Sequence, residues 1–330
     1  MRSVLILAFL VIRAHASAQC CSAGSGSPLG GGTSQGVLDD RQAEINLSIQ
    51  HASSKKFLDG DTKDRKYLDY YGYNFASLRL SYGISKNLTL SAESGYFLDK
   101  QEVGVDGGER IKSSGVSDLI IFPRYTVYSR NREHTRDEIT IGLGYKIPLG
   151  KYNDSFKQVE SFSGQEYYLT MPPGVQPTNG SHDFLFYVFG FRGYPYKNFR
   201  IFANGLYIKK GWNPQGLKFC DYASVSFFAG KTFFRKLGVT LQIKGEWIDK
   251  TRYNENLYHL GYYSFDVGAT GMKMISVAPQ LSYALGGLTV YAVSEFPLYQ
   301  YVNKKQVASQ HLYTGGLSYR FLTYRENGKE

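Results

Sequence analysis

What this sequence lacks argues against several common protein classes. Only the N-terminus carries a sustained apolar run and the mean hydropathy is −0.31, so a helical membrane protein, whose spans need about 20 apolar residues each, is not expected. Three cysteines and 10 prolines in 330 residues exclude disulfide scaffolds and collagen-like chains. The net charge of +10 comes without any Lys/Arg-rich run, so we expect no nucleic-acid partner.

Aromatic residues, by contrast, are abundant. The chain contains 28 tyrosines, 21 phenylalanines and 2 tryptophans, which together make up 15% of its residues. Disordered chains are poor in aromatics, so this composition predicts a folded protein. Aromatic side chains are also enriched in β-strands. The composition therefore favours an all-β fold.

The first 18 residues have the three parts of a secretory signal. Arg2 supplies the positive charge, residues 4–12 form an apolar stretch, and the Ala-Ser-Ala sequence at residues 16–18 is a typical cleavage site. We therefore expect an exported protein that begins at Gln19 after signal-peptide cleavage. Residues 19–40, rich in Cys, Gly and Ser, are predicted to form a flexible segment.

Alternation of apolar with polar or small residues dominates the rest of the chain. It is clearest over residues 139–149 and 237–247, where it gives a strand one apolar face and one polar face. No helical period competes over a comparable length. About twelve strands are predicted, near residues 42–50, 70–84, 88–98, 116–129, 137–149, 182–194, 199–210, 220–234, 237–249, 273–285, 288–299 and 309–321.

The predicted connections alternate in length. Those after even-numbered strands are short, such as residues 85–87, whereas those after odd-numbered strands are long, such as residues 151–181 and 300–308. Outer-membrane barrels have short periplasmic turns and long extracellular loops. Strands can cross hydrocarbon only in a closed barrel, because every backbone N–H and C=O needs a partner there.

The sequence therefore predicts a closed antiparallel transmembrane β-barrel of about twelve strands. The barrel would cover residues 41–322, with a tail at residues 323–330, in the outer membrane of a Gram-negative-type bacterium. Most tyrosines, Tyr71, Tyr73 and Tyr82 among them, fall near predicted strand ends. Aromatic girdles at the two membrane interfaces would place them there.

Three stretches resemble known outer-membrane proteins. The last predicted strand ends in Tyr-Arg-Phe at residues 319–321, similar to the assembly signal of bacterial outer-membrane proteins. Residues 115–119 and 142–150 resemble the outer-membrane family named after a MetA pathway of phenol degradation, except that Ser117 replaces an expected Gly and Leu149 an expected Thr. The resemblance implies a barrel that passes small molecules of apolar or aromatic character across the outer membrane.

Charged residues at strand positions whose side chains point into the barrel (the inward phase) are the candidate functional residues. They comprise five basic and five acidic side chains. A pore that selects ions of one sign would instead carry a ring with an excess of the opposite charge. The balance suggests a salt-bridge network across the lumen, or else a neutral or amphipathic cargo. Buried charges normally need partners, which favours the network. The lumen-lining candidates are Glu44, Arg79, Glu93, Asp118, Arg124, Lys146, Lys244, Glu246, Glu295 and Arg320.

Two histidines raise the alternative of an enzyme. His51 lies two residues from Ser53, and His311 lies two residues from Ser309, so each pair shares one strand face. A barrel similar to the outer-membrane phospholipase A family would use a His and a Ser so placed, together with an orienting Asn on a neighbouring strand. No such Asn is evident in the sequence, and no catalytic residue is predicted.

The cysteines provide no complete metal site. Cys20 and Cys21 are adjacent and Cys220 is distant, so in an oxidising compartment two can pair and one is left over. Two neighbouring thiolates are too few ligands for a typical structural metal site. We expect no metal and no cofactor.

The leading hypothesis is an outer-membrane channel or transporter for a small molecule, with outer-membrane lipid and the cargo as its partners. A third hypothesis is a structural or adhesive barrel whose loop at residues 151–181 binds a partner. The sequence sets no expectation for the oligomeric state.

Overall fold

The computed structural model describes residues 36–65, 68–104, 110–159, 162–255 and 267–323. Twelve antiparallel strands form one closed barrel. Their alternating sequences, rich in aromatic and β-branched residues, fit a pleated surface with two different faces. The barrel strands are β1 (Gln42–Ser54), β2 (Leu68–Ser85), β3 (Leu88–Gly104), β4 (Leu119–Asn131), β5 (Arg136–Ile147), β6 (Asp183–Tyr194), β7 (Phe199–Lys209), β8 (Tyr222–Phe233), β9 (Leu237–Ile248), β10 (Met272–Leu285), β11 (Leu288–Val307) and β12 (His311–Leu322).

Each barrel strand pairs with the next one along the chain, and the first and last strands close the barrel. β1 pairs with β12 from Gln42 opposite Leu322 to Ser53 opposite His311. Closure leaves no open sheet edge in the barrel wall, so the backbone polar groups are paired within hydrocarbon. The barrel predicted from the sequence is confirmed.

Within the described residues, no helix is long and apolar enough to cross a membrane. The helical segments there are two short 3-10 turns, Pro195–Lys197 and Val267–Ala269.

Burial alternates along the strands with the polarity that a membrane requires. In β1, Glu44, Asn46 and Ser48 are buried, whereas Leu47 and Ile49 are 50% and 43% exposed. An apolar exterior around a polar interior reverses the arrangement of a soluble protein. The outer face therefore suits lipid, and the polar face lines the lumen.

Many exposed tyrosine rings lie toward the two ends of the barrel exterior, as girdles at membrane interfaces would. Tyr71 and Tyr73 depart from this prediction, because both are buried within the barrel near its long-loop end. Toward the short-turn end lie Tyr82, Tyr125, Tyr128, Tyr283 and Tyr319, and toward the long-loop end lie Tyr145, Tyr207, Trp247, Tyr299 and Tyr313.

Some connections predicted to be long loops contain strand structure instead. β11 continues to Val307, so three residues, 308–310, link it to β12 in place of the loop predicted at residues 300–308. The extension of β11 pairs with Phe57–Gly60 of the first long loop, so backbone pairing beyond the barrel wall explains the added length. β3 likewise continues to Gly104 and pairs with Arg110–Val116.

Some predictions concern residues that are not described. The predicted signal sequence, Cys20, Cys21 and nearly all of the predicted tail lie outside the described residues. Of the predicted flexible segment, residues 36–40 are described, and the backbone N–H of Leu38 donates to Thr89 Oγ1 at 2.7 Å.

Candidate functional site: the lumen of the barrel

Nine of the ten charged residues predicted from the sequence form three groups of ion pairs in the lumen, and the first group lies toward the short-turn end. Arg320 of β12 donates from Nε to Glu44 Oε2 of β1 at 2.5 Å. Arg79 of β2 lies 3.9 Å from the Glu44 carboxylate and 3.7 Å from that of Glu93 on β3. Because their partners lie on neighbouring strands, these side chains form one ladder from β12 to β3.

The second group lies toward the long-loop end. Lys146 Nζ of β5 lies 3.0 Å from Asp118 Oδ2 and 2.9 Å from Asp183 Oδ2 of β6. Lys210 Nζ reaches the same Asp183 oxygen at 3.0 Å. Asp183 and Lys210 were not among the predicted residues, although Asp183 occupies an inward position of β6 that alternation identifies.

The third group lies on β8 to β11. Lys244 Nζ of β9 lies 3.2 Å from Glu246 Oε2 and 2.7 Å from Glu295 Oε1 of β11. The Tyr222 hydroxyl donates to Glu246 at 2.5 Å, and the Ser276 hydroxyl donates to Glu295 at 2.8 Å. One ammonium group is therefore shared by two carboxylates, each of which accepts a further hydrogen bond.

Arg124 of β4 completes the set of ten candidates. Its Nη2 donates to Ser91 Oγ at 3.0 Å, and its guanidinium carbon lies 5.7 Å from the centroid of the Phe122 ring. All ten candidates lie on the lumen side, and nine of them take part in the ion pairs above. Their charges balance within the lumen and form no ring of one sign.

A continuous apolar stripe runs along the inner wall on the side of the barrel away from β1. It is formed by inward residues of β6 together with Phe202 of β7 and Phe228 of β8. Phe202 of β7 stacks on Phe228 of β8 with 4.3 Å between ring centroids, and it lies 5.9 Å from Phe189. Its members on β6 are the successive inward residues Leu185, Tyr187, Phe189 and Phe191.

The apolar stripe corrects an expectation from the sequence. Apolar faces were expected to meet lipid and polar faces to line the lumen, which is wrong for β6. That strand is apolar on both faces, since Phe184 and Phe186 point outward while Leu185 and Tyr187 are buried. The unbroken apolar run from residue 184 to residue 189 was the signal for a two-sided apolar strand.

Residues 171–181 fold into the long-loop end of the lumen. The Tyr71 hydroxyl donates to the Gly174 carbonyl at 2.8 Å, and Lys100 Nζ donates to the Gln176 carbonyl at 2.8 Å. β2 and β3 therefore hold the backbone of this inward segment against the wall. The earlier part of the same long connection forms an exposed hairpin of Ser155–Val159 with Glu166–Thr170.

A further network lies at the rim of the long-loop end. Asp221 Oδ2 accepts a hydrogen bond from Lys209 Nζ at 2.6 Å, and its Oδ1 accepts one from the Lys210 backbone N–H at 2.8 Å. Burial acts to raise the pKa of this carboxyl group. The hydrogen bonds from Lys209 and Lys210 outweigh burial and hold the pKa of Asp221 below its ordinary value.

His51, one of the two histidines of the enzyme hypothesis, lies on the outward face near the long-loop end. His51 Nδ1 lies 2.7 Å from Asn74 Oδ1 on β2, and Asn74 Nδ2 donates to Asp99 at 2.9 Å. This asparagine was not evident from the sequence, because the contact depends on the register that sets His51 opposite Asn74. Ser53 lies opposite His311. Among the described residues, no hydrogen bond joins Ser53 to either histidine.

Cys220 is buried just before β8. Its Sγ lies 3.2 Å from Thr251 Oγ1, and the residue is disulfide-bonded. Across the described parts of the chain, no three His, Cys, Asp or Glu side chains come together in a way that would hold a metal ion.

Comparison with known proteins places the fold. No family profile and no curated protein matches the sequence. The crystal structure of an outer membrane channel from Pseudomonas putida F1 superposes with a TM-score of 0.67 at 11% identity, covering 88% of this chain and 99% of that one. KdgM porin (TM-score 0.41, 9% identity, 84% and 99% covered) and a mutant of the TodX monoaromatic hydrocarbon channel (0.46, 9%, 94% and 98%) match less well.

The class of protein is therefore an outer-membrane β-barrel. More particularly, the fold is that of the Pseudomonas putida channel over nearly the whole of that structure. At the level of the fold, this confirms the predicted resemblance to the family named after the MetA pathway.

Proposed function

We propose that the protein is an outer-membrane channel that passes small molecules of apolar or aromatic character through its lumen. The observation that carries the proposal is the apolar stripe, which occupies four successive inward positions of β6. An apolar solute that leaves water for such a wall gains roughly 25 cal/mol for each Å² of apolar surface removed from water. The paired charges elsewhere in the lumen select neither cations nor anions.

The inward segment at residues 171–181 gives the channel its size limit. It is held by side chains of β2 and β3 and fills part of the long-loop end of the lumen. A solute entering from that side would pass between this segment and the opposite wall. We infer a narrow path for small molecules and an exterior that contacts outer-membrane lipid after the signal sequence is cleaved.

Ion current through the reconstituted protein tests the proposed cargo. Benzyl alcohol should cause transient blockades of single-channel current in planar bilayers, whereas glycerol should not. Phe202→Gln should shorten these blockades, because it places an amide in the apolar stripe. Phe202→Leu serves as the matched control, since it keeps the position apolar. Equal effects of benzyl alcohol and glycerol on an open channel would contradict the proposal.

A second candidate function is a lipid hydrolase on the outward face, favoured by the hydrogen bond between His51 and Asn74. An oriented histidine can act as the base for a nearby serine, and Ser53 lies two residues away on the same face. Its hydroxyl would have to approach the His51 ring when substrate binds. Turnover of phospholipid by the detergent-solubilised protein, lost in Ser53→Ala and His51→Ala but kept in His311→Ala, would support this function. A folded protein without turnover would rule it out.

A further inference from the structure

A cavity of about 530 Å³ opens at the short-turn end of the lumen. Two carboxylates line it, and each is paired with an arginine of the same cavity. Arg320 Nε lies 2.5 Å from Glu44, and Arg136 Nη2 lies 3.3 Å from Glu138. The side chain of a third arginine, Arg200, makes no hydrogen bond or ion pair with a described side chain, and its shielded Nε has no partner. The cavity therefore carries one unbalanced positive charge.

The backbone around Arg200 explains why its guanidinium group lies there. Arg200 is on β7, two residues before Phe202 in the inward phase. A Cβ at Gly230 on β8 would lie 3.2 Å from Arg200 Nε, and a Cβ at Gly238 on β9 would lie 3.6 Å from its Nη2. Two glycines thus leave room for the guanidinium group beside the sheet, and neither offers a side chain to neutralise it.

The same cavity has an aromatic wall. Phe189 and Phe191 of β6 line it, and Phe189 continues into the apolar stripe through Phe202. The planar guanidinium group of arginine matches a carboxylate through two parallel hydrogen bonds. Stacked aromatic rings attract one another more strongly than the burial of their apolar surface alone would explain. The cavity offers both kinds of contact side by side, and a few hundred Å³ suits a small organic ligand.

We propose that this cavity binds a small aromatic carboxylate, with its carboxylate on Arg200 and its ring against Phe189 and Phe191. The inference rests on the proposed channel function and narrows the cargo to aromatic anions. The Arg200 side chain is partly buried and its Nε has no hydrogen-bond partner, so an incoming carboxylate would supply the missing counter-charge. The site lies at the short-turn end, where a molecule that has travelled along the apolar stripe would leave the lumen.

Isothermal titration of the full-length protein in detergent tests the inference, with benzoate as the probe. Benzyl alcohol keeps the ring without the charge, and acetate keeps the charge without the ring. Benzoate should bind more tightly than either. Arg200→Gln should weaken benzoate binding on the order of tenfold, the loss expected for a charged hydrogen bond. Arg192→Gln, on the outward face, should leave benzoate affinity unchanged.

A second variant keeps the test decisive if Arg200→Gln does not fold. Phe191→Ala should weaken benzoate binding and leave acetate binding unchanged. Equal benzoate affinity in wild type and folded Arg200→Gln would overturn the inference, as would acetate binding as tight as benzoate binding. A protein that conducts ions but does not bind benzoate would overturn this inference and leave the channel function standing. Benzoate binding by a folded protein without conductance would overturn the channel function alone.

Discussion

Lys244 Nζ of β9 lies 2.7 Å from Glu295 Oε1 of β11, so one ion pair reaches across the intervening strand β10. Ser276 of β10 donates to the same Glu295 carboxylate at 2.8 Å. Three neighbouring strands are thereby tied together on the lumen side. The arrangement shows how this barrel holds charge in its interior: each carboxylate has several partners.

Removing the Lys244 cation should lower the stability of the fold more than removing the cation together with one of its two carboxylate partners. Lys244→Met leaves Glu246 and Glu295 facing each other without a counter-charge, and we expect a loss of about 3–5 kcal/mol in the free energy of unfolding. The double variant Lys244→Met/Glu295→Gln should lose less, because the repulsion is relieved. Urea unfolding in detergent measures both. A double variant less stable than Lys244→Met would contradict the account.

Freeing the inward segment should widen the channel. Tyr71→Phe combined with Lys100→Met removes the two donors that hold the carbonyl groups of Gly174 and Gln176. We expect larger and noisier single-channel currents than in wild type. Lys157→Met is the control, because it breaks an ion pair with Glu166 in the exposed hairpin of the same connection. Currents of wild-type size in the double variant would show that this segment does not limit the pore.

Acid should weaken the rim at the long-loop end through Asp221. Its pKa is lowered in the folded protein, so its charge contributes stability above the ordinary value of 3.8, and that contribution is lost as pH falls through the lowered value. Asp221→Asn should therefore have a lower thermal midpoint than wild type at about pH 6, with the difference shrinking toward about pH 3. A difference that stays constant across that range would exclude this role for Asp221.

Much of the fold could be predicted from the sequence, because the strand period and the lengths of the connections are local features. Alternation along the strands was also the basis on which the ten charged residues were proposed as lumen-lining candidates, since it fixes which face a residue occupies. The pairing of those charges, such as Lys146 with Asp183, depends on the register between strands and on how side chains cross the lumen. The inward position of residues 171–181 could not be predicted for the same reason. Their contacts with Tyr71 and Lys100 join residues that are far apart in the chain.

The apolar stripe marks the point at which binary patterning failed. β6 has apolar residues on both faces. A rule that assigns every apolar residue to the lipid-facing side cannot tell which residues of such a strand point inward. Arg200 is a related case. Its inward phase can be deduced from Phe202, but its lack of a partner depends on Gly230 and Gly238 on two other strands.

Reconstitution of the full-length protein into planar bilayers tests the central claim most directly. A barrel that passes small molecules along the apolar stripe should give stepwise single-channel conductance, and samples should show the heat-modifiable gel mobility of a folded barrel. Protein with that mobility but without conductance steps would contradict the account of an open lumen.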